Sequence, residues 1–245
     1  MSEVYALAPG AQRETHSVRS LSTGLEGGSQ QVLNLLIEPQ ALHHADQALR
    51  GARFALCSKS GDGQVSQDLF EVARLEWVMQ QIHKMPERDQ QHFWISQSTL
   101  AAGARNRRIS SIIGLNAVWC DIDLAHVPAT FKGQLPAGDL SKPGEVDRLA
   151  GLLAIQIQDA GLPPPTYVIA TGGGLCPKWL FDFTVPSVAR ARWQSLQNEI
   201  VDRIGCLVGR IGDAEWQWPV DRAASDAARV LRLVGSFNPR WNTPC

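Results

Sequence analysis

The second half of the chain alternates between short runs of two-residue period and longer runs of helical spacing. Residues 116–124, NAVWCDIDL, carry apolar side chains at every second position and predict a strand. The predicted elements are, in chain order, strand 116–124, helix 145–161, strands 166–171 and 176–183, helix 187–204 and strand 229–235. This β-α-β-β-α-β order is the split βαβ arrangement of ferredoxin-like and RNA-recognition-like sheets. We therefore expect an α/β (α+β) fold in which the first and third of these strands are central neighbours.

The first half of the chain predicts a second α/β unit that packs with this sheet. Its elements are a helical run over residues 30–51 interrupted by Pro39, strand 53–59, an amphipathic helix over 67–85 that ends before Pro86, and strand 92–98. The sequence thus predicts a flexible N-terminal tail over 1–29, an N-terminal α/β lobe over 30–115 and an RNA-recognition-like lobe over 116–245.

The composition is that of a globular protein and does not indicate a membrane or secreted one. The 245 residues are 44% hydrophobic and 19% charged, which is typical of a globular domain. The start of the chain has no secretory signal and no apolar run approaches about 20 residues, so we expect a cytoplasmic protein. The net charge of −1 argues against a surface coated in positive potential for non-specific nucleic-acid binding. The five cysteines are odd in number and form no CxxC pair, so buried free thiols are expected rather than a zinc site or disulfide framework.

Two aspartates lie on the same face of the first predicted strand. Asp121 and Asp123 share that face with Ala117 and Trp119, whereas the opposite face is apolar from 118 to 124. The apolar face is expected to meet the helices, which leaves the aspartates on the open face of the sheet. On the neighbouring strand, Trp179 and Phe181 suit the helix side, and Cys176 and Lys178 then lie beside the aspartates.

Paired carboxylates at this spacing are typical ligands of a hard cation such as Mg²⁺ or Mn²⁺, which keeps several waters and recruits substrate phosphates. The alternative is that Asp121 and Asp123 are an ordinary solvated strand end.

Three consecutive glycines, Gly172 to Gly174, join the second and third predicted strands. A glycine-rich turn exposes backbone N–H groups that can bind a phosphate. The turn lacks the P-loop and dinucleotide-binding patterns, and the alternative is a simple hairpin turn. Lys178, four residues farther on, is expected to pair with a bound phosphate or with one of the aspartates, or else to be an extended surface side chain.

The last segment and a short basic run add further candidates. Asp221 and Asp226 precede a strand that carries Arg229 and Arg232; one aspartate can complete a metal site and an arginine can bind a triphosphate, or Asp226 can be a helix N-cap. The ARNRR run contains Arg105, Arg107 and Arg108, which predict contacts with a nucleic-acid backbone or an ordinary solvated loop. Trp216 and Trp218 favour packing over base stacking.

Three of these stretches together resemble motifs of the archaeo-eukaryotic primase superfamily, in particular the replication primases and primase-polymerases of plasmids and mobile elements. WCDIDL resembles the first motif, an acidic pair on a strand. ATGGGLCPKWLF is similar to the second, usually a Ser-Gly-rich turn followed by His on the next strand. VDRAASDAARVLRLVGSFNPRWN is similar to the third, in which an Asp precedes an Arg-Val-Leu-Arg strand and a Gly-Thr-x-Asn turn. The resemblance covers roughly residues 94–242.

The resemblance implies a nucleotidyltransferase that makes primers on single-stranded DNA, releasing pyrophosphate from nucleoside triphosphates. It implies that Asp121, Asp123 and Asp221 are the catalytic carboxylates and bind Mg²⁺ or Mn²⁺. The residues assigned to the nucleotide are Thr171, Gly172, Gly173, Gly174, Cys176, Lys178 and Arg232. The residues assigned to nucleic acid are Arg105, Arg107, Arg108 and Asn238. A replicative helicase or another replication protein is the implied partner.

The sequence departs from the family pattern at one position, because Cys176 stands where His is usual. A neutral thiol does not donate to a phosphate as an imidazolium does, and it is a poor ligand for a hard cation. Two other classes of function are therefore carried forward. One is a non-catalytic replication protein that binds single-stranded DNA or nucleotide with the same sheet. The other is a nuclease or a different transferase with an Asp-x-Asp site, which leaves the Arg-Val-Leu-Arg segment unused.

Overall fold

The structure is a computed structural model of the chain. The residues it describes are 4–6, 38–43, 50–59, 63–85, 92–124, 145–211, 214–238 and 243–244. The α-helices whose bounds are fully described are α1 (Leu75–Lys84), α2 (Glu145–Asp159) and α3 (Arg190–Gly205). The described strands are β1 (Val4–Ala6), β2 (Arg53–Lys59), β3 (Val65–Glu71), β4 (Phe93–Ser96), β5 (Ser98–Leu100), β6 (Ile112–Trp119), β7 (Ile122–Asp123), β8 (Tyr167–Ala170), β9 (Gly174–Pro186), β10 (Val208–Ile211), β11 (Ala214–Gln217), β12 (Val230–Arg232), β13 (Phe237–Asn238) and β14 (Thr243–Pro244).

One large antiparallel sheet organises these strands. Its strand order is β1-β8-β9-β6-β5-β2-β4-β12, with β3 added to β2 and β7 added to β9. The fold is therefore mixed α/β, as the sequence predicts. The first and third strands of the predicted split βαβ unit, β6 and β9, are antiparallel neighbours, with Val118 opposite Trp179.

The last predicted strand takes a different place from that of a split βαβ unit. β12 pairs with β4, where Arg232 lies opposite Trp94, and β5 occupies the free edge of β6. The fully buried Leu233, which follows β12, packs in a cluster with Phe54 and Ile95. The two halves of the chain thus contribute to one continuous sheet.

The prediction of a helix over 67–85 is wrong in its first part. Residues Val65–Glu71 form β3, which pairs with β2 along all seven residues, and α1 begins only at Leu75. The backbone groups on this edge of β2 need hydrogen-bond partners, and the tertiary pairing overrides the local helical pattern.

Two hydrophobic clusters flank the sheet. The larger lies under β6, β8 and β9 and takes Leu149, Leu153 and Ile157 from α2. The smaller packs α1, with Val78 and Met79, against β2 and β4. Each helix buries one apolar stripe on the sheet, as amphipathic helices of layered α/β domains do.

Trp119 does not lie on an open face, contrary to the sequence-based expectation. It is fully buried, and its ring packs on that of Trp193 in α3 at a centroid distance of 5.6 Å. Its indole Nε1 donates to the Ala224 carbonyl at 2.7 Å. The side-chain amide of Gln197 in α3 accepts from the Trp119 N–H and donates to the Trp119 carbonyl. Both backbone groups at the end of β6 are therefore bonded.

The beginning of the chain is described only in part. Residues 4–6 form a strand on β8 instead of a tail, and the rest of the predicted tail lies outside the described residues. Residues 38–42 are helical and include Pro39. Within the described ranges, no helix is both long and apolar enough to cross a bilayer.

Candidate active site

Main-chain hydrogen bonds bring two distant segments together. The Asp221 N–H donates to the Asp121 carbonyl at 2.8 Å, and the Asp123 N–H donates to the Pro219 carbonyl at 3.0 Å. Between these bonds, Ile122 and Val220 form an antiparallel β-bridge. The backbone therefore places Asp121, Asp123 and Asp221 next to one another without relying on their side chains.

All three carboxylates line one cleft of about 370 Å³. Thr171, Gly173, Cys176 and Arg232, which the sequence assigned to the nucleotide, line the same cleft. The structure thus gathers residues from the three motif regions in one place. Four further side chains that can carry or stabilise charge also line the cleft: Lys59, His92, Trp94 and Arg229.

The triple-glycine turn has a structural explanation at two of its positions. A Cβ at Gly174 would lie 1.9 Å from the carbonyl oxygen of Ile122, so only glycine allows β7 to pair with β9 there. Gly172 has φ 83°, a left-handed conformation that favours glycine. The turn is closed by the Thr171 N–H, which donates to the Gly174 carbonyl at 3.0 Å. Glycine at 174 is therefore needed because the Asp121–Asp123 segment packs directly against the backbone there. Gly173 lines the cleft.

The cleft concentrates negative charge at Asp121. The pKa of Asp121 is raised to about 6, first by burial and then by the nearby Asp221 and Asp123, while Arg229 and Arg232 partly oppose the rise. A carboxyl group in this environment binds a proton more readily than usual, and a divalent cation would relieve the same repulsion.

The donor chemistry of the cleft fits a hard divalent cation. Carboxylate oxygens are the ligands of Mg²⁺, which is usually held by one or two of them together with water and substrate phosphates. Among the described residues, however, no three Asp, Glu, His or Cys side chains form a ready-made cluster around one point. A cation held here would therefore need further ligands, such as water or substrate phosphates.

Asp221, and not Asp226, is the third carboxylate of the cleft. Asp221 caps the short turn that follows it by accepting from the Ala223 N–H at 2.9 Å, and its other oxygen lies 4.0 Å from an Arg229 nitrogen. Asp226 caps the next turn through the Ala228 N–H and does not line the cleft.

Cys176 lies at the base of the cleft and is only 2% exposed. Burial raises the pKa of its thiol well above the usual range, and the charge of Lys178 only partly opposes this effect. The thiol is therefore neutral at any physiological pH and is a poor nucleophile.

We expect a thiol reagent to modify Cys206 ahead of the three described buried cysteines, Cys57, Cys120 and Cys176. Cys206 is free and exposed, whereas burial keeps the other thiols protonated and inaccessible. Peptide mapping by mass spectrometry after brief alkylation of the native protein should show labelling of Cys206 faster by on the order of tenfold or more. Equal labelling of Cys176 would contradict its placement beneath the cleft, and denatured protein is the control.

Lys178 has a partner that the sequence did not predict. It is fully buried, and its ammonium forms an ion pair with the equally buried Glu38 rather than with a phosphate or an aspartate of the cleft. Lys178 does not line the cleft, so we do not retain it as a phosphate ligand. The negative charge of Glu38 also adds to burial in raising the pKa of the neighbouring Tyr167.

The three arginines predicted to bind nucleic acid do not line the cleft. Arg105 and Arg108 are exposed, while Arg107 is partly buried and donates through Nε to Gln67 at 3.2 Å. Asn238 pairs with Thr243 in a two-stranded ribbon, and its side chain is outside the description. Trp218 is buried and donates to Gln156 at 2.7 Å, in agreement with packing rather than base stacking.

Sequence reasoning missed Lys59, His92 and Trp94. They come from the ends of β2 and β4, whose patterns predict strands but no chemistry. The available signal was a basic or aromatic residue at each of these strand ends. It points to the cleft only once β12 is known to pair with β4.

Comparison with known proteins gives two similarities. No protein-family model matches the chain. The chain is 28% identical over 137 residues to a replication protein of Clostridium perfringens; the match covers 56% of this chain and 27% of that protein, so the chain spans about a quarter of the relative's length. The AEP domain of the primase-polymerase of cyanophage S-2L is similar in structure, with a TM-score of 0.49, 16% sequence identity and coverage of 86% and 85% of the two chains.

Proposed function

We propose that the chain is the catalytic domain of a replication primase or primase-polymerase, which makes primers on single-stranded DNA by metal-dependent nucleotidyl transfer. One observation carries the proposal: Asp121, Asp123 and Asp221, from segments far apart in the chain, meet in one cleft that also contains Thr171, Gly173 and cationic side chains. A cleft that combines carboxylates with cations suits a substrate that brings a divalent cation and a phosphate chain together.

In this proposal Asp121, Asp123 and Asp221 would hold Mg²⁺ or Mn²⁺, which would supply charge neutralisation at the reacting phosphate. The protein contributes mainly position and electrostatics, as in other phosphoryl-group transfers. Thr171 and the backbone of Gly173 lie where a phosphate can approach the turn, and Arg229 and Arg232 add positive charge within the same cleft. The 3′-hydroxyl oxygen of the growing strand would attack the α-phosphate in line and release its proton to water, while the bond between the α-phosphorus and the bridging oxygen breaks and pyrophosphate leaves.

In this proposal the exposed arginines before β6 contact the DNA template. Arg105 and Arg108 can contact a DNA backbone through charge-assisted hydrogen bonds, whereas Arg107 is already bonded to Gln67. A helicase or another replication protein remains the proposed partner.

Primer synthesis on single-stranded DNA tests this function. The purified protein is incubated with a single-stranded template, labelled nucleotides and Mg²⁺ or Mn²⁺. We expect short labelled products that require both template and cation and that disappear in an Asp121→Ala, Asp123→Ala double variant. Asp226→Asn is the matched control, because Asp226 lies outside the cleft and Asn keeps an oxygen that can cap the Ala228 N–H.

A non-catalytic replication protein that binds DNA or nucleotide is the second candidate. The observation that favours it is the buried, neutral Cys176 at the base of the cleft. DNA binding without labelled products in the assay would support this candidate. Breakdown of the template would instead support a nuclease.

A further inference from the structure

The ends of β2, β4 and β12 form a basic wall of the cleft. His92 stacks on Trp94, with ring centroids 5.6 Å apart and an angle of 10° between the planes. The Arg232 guanidinium lies over the same indole, 5.0 Å from its ring centroid. The main-chain N–H of Lys59 donates to the His92 carbonyl at 3.1 Å, which places Lys59 beside these residues. We call Lys59, His92, Trp94 and Arg232 the basic wall.

The conformation of His92 is unusual. Within the described part of the chain it is the one non-glycine residue with a positive φ, at 57°. A residue other than glycine stays in this region only where its surroundings hold it, and such residues cluster at functional sites. Its ring nitrogen Nδ1 is buried and has no hydrogen-bond partner, although buried polar atoms are normally bonded. This nitrogen is therefore available to a ligand in the cleft.

The charges around His92 indicate what that ligand is. Burial lowers the pKa of His92, and the positive charges of Arg232 and Lys59 lower it further. The basic wall thus has an excess of positive potential, while the carboxylates of the cleft have an excess of negative potential. A chain of phosphates accepts hydrogen bonds from imidazole, guanidinium and ammonium groups, and it can share a cation with the carboxylates.

We propose that the basic wall binds the phosphate chain of the incoming nucleoside triphosphate, with His92 donating to a phosphate oxygen. In this chain an imidazole thus reaches the cleft from the start of β4, whereas the buried Cys176 on β9 supplies none. The proposal rests on the proposed function for the identity of the nucleotide as a substrate. Trp94 acts as a positioning residue, because it stacks with both His92 and Arg232.

Nucleotide affinity of His92→Asn and His92→Gly tests the proposal. Asn and Gly both tolerate a positive φ, so neither change is expected to unfold the protein. Binding is measured calorimetrically for a non-hydrolysable deoxynucleoside triphosphate, inorganic tripolyphosphate and the free deoxynucleoside. We expect affinity for the two phosphate-bearing probes to fall about tenfold in both variants, the effect of one charge-assisted hydrogen bond, and nucleoside binding to stay unchanged. His83→Asn, on α1 and outside the cleft lining, is the control.

The pH dependence of binding separates a phosphate contact from a structural role. The charged groups that line the cleft together with His92 are Lys59 and Arg232 on the wall and Arg229, Asp121, Asp123 and Asp221 elsewhere. All of them are present in both proteins, so the difference between wild type and His92→Asn isolates the imidazole. A bound phosphate chain favours the charged imidazolium, so the tenfold difference in tripolyphosphate affinity should be largest near pH 6 and shrink toward pH 8.

The outcomes distinguish this proposal from the proposed function. Loss of triphosphate binding in both His92 variants supports the basic wall, even if the wild-type protein makes no primers. Unchanged affinity for tripolyphosphate in both variants overturns it, even if primers are made. A loss of nucleoside binding equal to the loss of triphosphate binding also overturns it, because the contact would then lie with the base or sugar.

Discussion

The Asp121→Asn variant is expected to lose nucleotidyl transfer and, at the same time, to gain thermal stability at neutral pH. The loss follows from the proposed function, because an amide is a weak ligand for a hard cation. We expect the rate of primer synthesis to fall by at least about a thousandfold, the order of the effect of removing one strong electrostatic contact with the transition state.

The gain in stability follows from the raised pKa of Asp121. Folding raises this pKa from 3.8 to about 6. Below pH 3.8 the carboxyl group is protonated in both the folded and the unfolded chain, and it does not penalise folding. As the pH rises through about 6, the folded protein must bear a buried, repelled charge, and stability is lost. The full shift corresponds to about 3 kcal/mol above pH 6.

Asparagine removes that charge but also changes local hydrogen bonds, so we expect a net gain of about 1–2 kcal/mol, or roughly 3–8 °C in melting temperature at pH 8. The gain should vanish near pH 4. Mn²⁺ should raise the melting temperature of the wild type at pH 8 and leave that of the variant almost unchanged. Asp226→Asn is the control for both readouts. A stability gain that is the same at pH 4 and pH 8 would show that repulsion among the carboxylates is not its cause.

The second large effect is expected at the buried ion pair of Lys178 and Glu38. Lys178→Met leaves the Glu38 carboxylate buried without its counter-charge, and the second oxygen of Glu38 already has no hydrogen-bond partner. Removing one member of a buried pair typically costs about 3–5 kcal/mol in the free energy of unfolding. The Lys178→Met variant should therefore unfold at a clearly lower denaturant concentration than the wild type.

A double-variant cycle identifies the cause of this loss. Replacing both residues, as in Glu38→Leu, Lys178→Met, removes both charges, and the double variant should be more stable than either single variant. The exposed pair Arg203 and Glu199, 3.9 Å apart on α3, is the comparison, because such a pair contributes only about 0.3–0.5 kcal/mol. If Lys178→Met destabilised the protein no more than Arg203→Met, the buried pair would not have the proposed importance.

The sequence predicted the parts of the site that depend on short-range pattern. The alternation around Asp121 and Asp123 predicted that they share a face, and the structure places both in one cleft. The adjacency of β6 and β9 followed from the predicted β-α-β-β-α-β order, and most helix positions followed from helical spacing. These features depend on two-residue and helical periods, which are visible in a single sequence.

The remaining features depend on contacts between distant segments. The partner of Lys178 is 140 residues away, so strand alternation placed the side chain but not its counter-charge. His92 and Trp94 entered the cleft only because β12 pairs with β4 instead of β6. Residues 65–71 became a strand because β2 offered an unpaired edge. In each case, long-range pairing decided the outcome where the local pattern allowed more than one structure.

The main-chain bonds between the Asp121 and Asp221 segments have a practical consequence for redesign. Since amide and carbonyl groups, rather than acidic side chains, fasten these two stretches together, each acid can be exchanged without pulling its neighbours out of register. Under the proposed function, the side chains at 121 and 221 can therefore be varied one position at a time to alter the cation preference. Asparagine at 221 would keep an oxygen that can cap the Ala223 N–H.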